Sequence, residues 1–530
     1  MPATFTYPGL YIEELPSGVH PIVGASTSDT AFVDAFSRGP VETPTRVTSF
    51  AEFERTFGGL DAQSEASYAL LQYYLNGGHN AWVVRIDIGN PGTASITLPS
   101  SSTSPATAAL DVLAANPGAW GNRLEVVAVA TVPADPNRFN LFVRETTTVN
   151  GKKTIVTTEV HRGLSFNLAD ARYALAVVNE SSRLVQLDEP NGALGQLPAL
   201  ATPNASGEPP DTAFQALTGG TDAALVDSSG TVITGLSTAV KDAMQTLDRI
   251  DPFIFNLLCL PITSLLPNDD DRMSLLSSAE TYCESKRAFL LVDPPPNLTT
   301  ASDAQDWLDD VGGLPSPNAA LYFPRLTIPD PLNGNRQRDV GPSGTMAGVC
   351  ARIDGARGVW KAPAGTEASL RGARIAVSLT DDDSGALNPL GINALRDLAV
   401  FGPVAWGART LFGADQRASE WKYVPVRRTA LFIEDSLLAG LKWVVFEPND
   451  ETLWAQIRLN VGAFMQGLFR QGAFQGSTPR EAYLVRCDAT TTTQADIDRG
   501  VVNILVGFAP LKPAEFVLIQ IQQLAGQTQT

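Results

Sequence analysis

The sequence predicts a multidomain α+β protein. Three observations predict it. At about 100–200 residues per domain, 530 residues call for three or four cores. Residues 235–330 alternate apolar strands with amphipathic helices, the pattern of a mainly parallel α/β layer. Residues 110–196 instead alternate like antiparallel strands, and Ser/Thr/Pro-rich linkers at 91–109 and 197–212 bracket them as a mostly β insertion.

The elements follow in chain order. Tyr7-Pro8-Gly9-Leu10-Tyr11-Ile12-Glu13-Glu14 reads as an extended arm, because Pro and Gly prevent helix and β-formers follow. Residues 31–36 predict a strand stopped by Gly39-Pro40. Residues 64–75 predict a helix, with Ala66, Ala69, Leu70, Tyr73 and Tyr74 on one face and Gly77-Gly78 ending it. Residues 81–86 predict the next strand. In the β insertion, 123–131, 139–148 and 154–160 read as strands. Beyond it come a helix (238–249), a strand (253–260), a helix (271–286) with acids leading in and Lys286-Arg287 closing it, and a strand (287–292). A helix at 302–311 with Ser302 as N-cap and a strand at 319–326 follow. The last segment predicts helices at 390–400, 428–438 and 451–469, strands at 423–426 and 442–447, and a terminal strand at 513–521 after Pro513.

Charge narrows the functions. The net charge is -18. It divides as -6 over residues 1–90, -4 over 91–225, -8 over 226–387 and zero over 388–530. Such a chain should repel nucleic-acid phosphates and anionic membrane surfaces. No apolar run approaches the roughly 20 residues that span a bilayer. The N-terminus lacks the basic and apolar regions of an export signal, which points to folding in a reducing cytoplasm. Cys259, Cys283, Cys350 and Cys487 then read as buried free thiols.

The chemistry-bearing motifs are sparse. There is no GxxxxGK[ST] loop, no GxGxxG after a strand and no GxSxG elbow. His20, His79 and His161 are scattered. The triplets Asp269-Asp270-Asp271 and Asp381-Asp382-Asp383 lack the spacing of a calcium loop and read as solvated loop, or as helix N-terminal charge for the first. The pairs Glu13-Glu14 and Asp309-Asp310 show no sign of burial that would raise a pKa for acid–base work. The residues thus predict no catalytic site, metal or cofactor. Two readings compete with a structural role: an α/β enzyme with an acidic site, and a monomeric binding module.

Eight stretches in order resemble the contractile tail sheath family of phage tails, R-type pyocins and extracellular contractile injection particles. They are Tyr7–Glu14; Asn76-Gly77-Gly78 with Ala81–Arg85; Leu217-Thr218-Gly219-Gly220-Thr221-Asp222; Arg352-Ile353-Asp354 with Arg357-Gly358-Val359-Trp360-Lys361-Ala362-Pro363; Gly402-Pro403 through Trp406–Thr410; Tyr423–Arg428; Phe446-Glu447-Pro448-Asn449-Asp450 with Leu453-Trp454; and Gly507–Pro510 through Phe516. Ala223 stands where the family has a second glycine. Residues 93–212 match no family motif.

The resemblance implies a discontinuous inner domain from 1–92 plus 388–530, a middle α/β insertion at 213–387 and an outer, mostly β insertion at 93–212. It implies Arg352, Asp354, Arg357, Gly358, Trp360 and Lys361 near the return into the inner domain. It implies terminal arms, Leu10, Tyr11, Ile12 and Glu13 at one end and Phe516, Val517, Leu518, Ile519 and Ile521 at the other, that add strands to neighbouring subunits. The partners implied are further copies in a six-fold helical sheath, an inner tube protein, a baseplate and a cap or terminator. Arg458 and Arg470, on the 451–469 helix and its flank, are the candidate tube-facing residues. The large size and the N-terminal motif favour an injection particle over a phage.

Overall fold

The computed structural model describes residues 20–100, 108–190, 197–226, 229, 231–310 and 314–521. They form two compact units. The larger takes Ser28–Ile353 and Pro363–Val424; the smaller takes the described parts of Met1–Thr27, Asp354–Ala362 and Pro425–Thr530.

The larger unit is built on an eight-stranded sheet. Its order is Gly402–Ala405, Ile392–Leu398, Ala319–Phe323, Phe289–Val292, Leu257–Cys259, Thr30–Asp34, Ala81–Arg85, Thr45–Val47. The six inner strands are parallel and each edge strand is antiparallel. Every residue of Thr30–Asp34, Ala81–Arg85 and Ala319–Phe323 is buried. Both faces are therefore covered, which explains why these strands read as continuous apolar runs.

The helix Glu65–Asn76 starts at Ser64, whose side chain accepts from Ser67 N, and ends at Gly77 in the left-handed region. It packs against the helix Ser343–Arg357 through glycines. A Cβ on Gly344 would sit 2.3 Å from the Ala69 carbonyl oxygen, and one on Gly348 would sit 2.4 Å from that of Tyr73. One turn further on, Gly77 meets Arg352. The four-residue steps match, so the two helices run parallel with their backbones in near contact.

Within 93–222 the chain forms two antiparallel sheets, Gln215–Ala216/Leu124–Ala130/Phe139–Val149/Lys152–Leu164 and Ser95–Pro99/Ala108–Ala114/Val185–Asp188. They share a core that includes Leu110, Val126, Leu141 and Val178, the last from the helix Ala174–Ser181. The two chain passages into this region are tied together. Asn122 Nδ2 donates to Gly220 O at 2.8 Å while Gly220 N donates to Asn122 Oδ1 at 2.9 Å. Ala119 N donates to Asp222 Oδ1 at 2.7 Å.

Several expectations change. Residues 392–398 are a strand where the pattern predicts helix. Val424–Gly440 is one helix, so no strand occupies 423–426; Pro425 lies in its first turn, where a missing N–H costs nothing. Residues 442–444 are a 3₁₀ turn rather than a strand. Thr300, not Ser302, caps the helix Ala301–Asp310, accepting from Asp303 N at 3.1 Å. The linker at 91–109 contributes the strand Ser95–Pro99. The large sheet draws strands from several parts of the chain. Thr30–Asp34, Ala81–Arg85 and Ile392–Leu398 join strands from 257–323 in one sheet, because a parallel strand covered on both faces must sit inside a sheet.

Candidate assembly surface

The smaller unit begins at the Val424–Gly440 helix. Residues 20–27 run along it in the opposite direction. His20 stacks on Trp443 with ring centroids 4.3 Å apart, Ile22 lies against Gly440, and Ala25 N donates to Ser436 Oγ at 2.9 Å. At the other end, Arg428 Nη2 donates to Thr27 O at 2.8 Å. The same guanidinium grips Asp354, at 2.6 Å to Oδ2 and 3.1 Å to Oδ1. The side chains of this pair are only 3% and 4% exposed. Arg428 thus joins three separate chain passages of the unit at one point.

This accounts for most of the Arg-x-Asp motif. Arg352 serves the larger unit, donating to Asn76 O and Ser369 O at 2.7 Å each. Asp354, two residues on, serves the smaller one. Gly358 has φ +92, and a Cβ there would lie 2.3 Å from the Trp360 ring, so only glycine lets the indole fold over it. Trp360 packs against the smaller unit's core. Lys361 Nζ donates to Ala362 O at 2.9 Å. Arg357 is exposed. The motif lies where the chain passes from the one unit to the other.

The long helix Glu451–Arg470 is capped by Asp450 and buries Leu453, Trp454, Ile457, Val461, Met465 and Leu468. The two-stranded sheet Tyr483–Arg486/Leu505–Phe508 lies on the same core. Tyr483, Val485, Val506 and Phe508 face inward. Their alternating neighbours Leu484 and Leu505 are 43% and 49% exposed. Arg458 donates to the Cys487 carbonyl and to Glu451, so its charge is engaged within the chain. Arg470, at the helix end, is exposed.

The C-terminal segment is not a strand of its own unit. Residues 511–521 have no regular structure, and Phe516, Val517, Leu518, Ile519 and Ile521 are 78–92% exposed. The N-terminal arm residues Leu10, Tyr11, Ile12 and Glu13 lie outside the described residues. The other notable feature is Phe446, which the motif contains but sequence reasoning did not single out. It is fully exposed with φ +73, a combination whose rarity in a bulky residue is visible only in three dimensions.

Asp269–Asp271 and Asp381–Asp383 fill the first turns of helices capped by Asn268 and Thr380. Asp34 and Asp293 are buried carboxyls that burial pushes upward; Asp34 accepts from Ala35 N and Ala66 N, and Asp293 from Ser343 N and Oγ. All four cysteines are free and buried. Among the described residues, no three or more His, Cys, Asp or Glu side chains are placed to hold a metal ion, and no helix is long and apolar enough to cross a membrane.

Residues 416–523 match the phage tail sheath C-terminal domain family. The tail sheath protein of Vibrio phage KVP40 is 28% identical over 275 residues, covering 47% of this chain and 39% of that one. That of Enterobacteria phage T4 is 26% identical over 174 residues, 32% of this chain and 25% of that one. The chain is similar to tail sheath proteins, and its residues 416–523 match their C-terminal domain. It matches well under two thirds of the length of these curated relatives. Solved sheath structures extend the likeness in fold to nearly the whole chain. The sheath complex of the extracellular contractile injection system PVC, in its contracted state, superposes with a TM-score of 0.58 at 20% identity, covering 99% of both chains. The sheath tail protein of Listeria innocua gives 0.60 at 16%, covering 93% and 96%.

Proposed function

We propose that the chain is the repeating subunit of a contractile sheath. Copies polymerise helically, in six-fold symmetry, around a rigid inner tube. The sheath then contracts and drives the tube through a target envelope. The observation that carries the reading is the C-terminal segment. Five large apolar side chains stand 78–92% exposed on a β-forming stretch. Each backbone bond to a neighbour's sheet edge contributes on the order of 1 kcal/mol net, and covering the side chains adds to it. Head-to-tail contacts of this kind are heterologous and extend into an open helix.

Contraction needs two packings of the same subunits, the extended one higher in free energy. No nucleotide or cofactor enters. We retain Arg470 as the candidate tube contact, the 93–212 region as an outward decoration, and baseplate and cap proteins as end partners. Assembly takes place in the bacterial cytoplasm, and the particle is then released. Likeness over 98–99% of the chain to sheaths of PVC and the anti-feeding prophage favours an extracellular injection system. A phage tail is the second reading, favoured by the sequence relatives from phages KVP40 and T4. Negative-stain microscopy of the purified chain tests the proposal. Hollow ribbed cylinders are expected, and monodisperse particles at all concentrations refute it.

A further inference from the structure

We propose that Phe446 is a knob that seats in the outer face of the Tyr483–Arg486/Leu505–Phe508 sheet of a second copy, beside an ion pair between Glu447 and that copy's Arg486. The inference rests on the sheath reading and names a contact face, distinct from the strand-edge pairing of the arms.

The knob is held ready. Phe446 is fully exposed, and its φ of +73 is strained for an aromatic residue. The loop around it is fixed. Glu447 N donates to Val444 O at 3.2 Å and Asp450 N to Pro448 O at 3.0 Å. Asn449 accepts from Trp454 Nε1 at 2.9 Å and donates to Val501 O at 3.0 Å. A rigid, solvent-facing aromatic loses little freedom on binding, the property of an interface anchor.

The receiving face follows from strand register. Leu484 pairs with Gly507, and Arg486 with Leu505. Paired residues share a face, so these four form the outer one. Gly507 leaves a hollow: a Cβ built there would meet only the Leu484 Cβ, at 3.9 Å. Leu484 and Leu505 flank it, half exposed, and Arg486 is exposed at its rim. Knob and hollow thus match in shape, apolarity and charge. Phe446 stands fully exposed in its own chain, so the hollow assigned to it is that of another copy.

The test measures the critical concentration for cylinder formation by sedimentation and negative stain, with the thermal midpoint of the free subunit as a control. Phe446→Asn should raise the critical concentration about thirtyfold. Asn tolerates the left-handed backbone, so the midpoint should hold or rise. Assembly and stability moving in opposite directions is an outcome that a merely structural residue would not give. Glu447→Arg and Arg486→Glu should each raise the critical concentration about tenfold, from like charges facing each other. The double variant should return to near wild type. Wild-type cylinders with unaffected variants, or a double variant no better than its parents, overturn the contact alone. A wild-type chain that forms no cylinders overturns the sheath reading and the contact with it.

Discussion

Removing the Asp354 carboxylate should selectively destabilise the smaller unit. In Asp354→Asn, Arg428 keeps its buried position but loses the Asp354 charge, and with it the charge assistance of both bonds, at 2.6 and 3.1 Å. Each such bond contributes about 1.5–3 kcal/mol. Their sum, about 3–6 kcal/mol, agrees with the roughly 3–5 kcal/mol lost when one partner of a buried pair is removed. The Thr27 carbonyl, 2.8 Å away, still accepts from the same guanidinium nitrogen. Hydrogen exchange read peptide by peptide gives the assay. Protection should fall across Val424–Gly440 and Glu451–Arg470, by about 3 kcal/mol in opening free energy. Strands of the large sheet should keep theirs. The double variant Asp354→Ala with Arg428→Met should recover most of the loss, because an apolar pair leaves no uncompensated charge. A loss below about 1 kcal/mol, or a double variant as damaged as the single, would refute the claim that this pair pins the unit.

Four further outcomes are expected. Deleting 512–530 should abolish cylinders in negative stain while leaving the circular dichroism and thermal midpoint of the subunit nearly unchanged; normal cylinders would remove the arm from the assembly. Gly344→Ala and Gly348→Ala should each cost at least about 2 kcal/mol in urea denaturation, since the added methyl meets a backbone carbonyl at 2.3 or 2.4 Å that cannot rotate away. Asn122→Ala should cost about 1–3 kcal/mol and speed proteolysis within 93–222. Glu280 sets a pH dependence: burial, and then Glu284, push its carboxyl from 4.5 up to about 7. The folded chain therefore holds this proton more tightly than the unfolded one, and stability falls as pH rises from about 4.5 to about 7. Glu280→Gln should stabilise the chain by about 1 kcal/mol at pH 8, allowing for partial exposure, and by almost nothing at pH 4 in thermal melts.

Much of the fold was legible because its elements state their surroundings locally. Glu65–Asn76 carries a cap, an apolar face and a terminating glycine, and Ala81–Arg85 is a continuous run of strand-formers. The helix Ser343–Arg357 escaped notice because it is buried on nearly every side and rich in Gly and Ala, so it shows no amphipathic stripe. Residues 392–398 have helical composition but are a strand, held by long-range bonds. The Asn393 amide donates to Leu321 O and Arg409 O and accepts from Arg409 N. No local pattern encodes such partners. The assembly surface was legible in part. The apolar C-terminal stretch was visible in the sequence, while the exposure of its side chains was not. Phe446 looked like one motif position among many until its backbone and exposure were known.

The three-piece make-up of the smaller unit also bears on how the chain is synthesised. Its core draws Trp360 from mid-chain and Phe508 from near the C-terminus, while the larger unit is complete once Val424 has been made. Domains fold as units during synthesis, so the larger unit can close while the rest is still on the ribosome. The smaller one must wait until residue 508 or so has emerged. The surfaces proposed to join copies all belong to that late unit. Under the proposed sheath role, the C-terminal segment and the face that carries Phe446 are therefore the last of the joining surfaces to be completed, after the larger unit can already have closed.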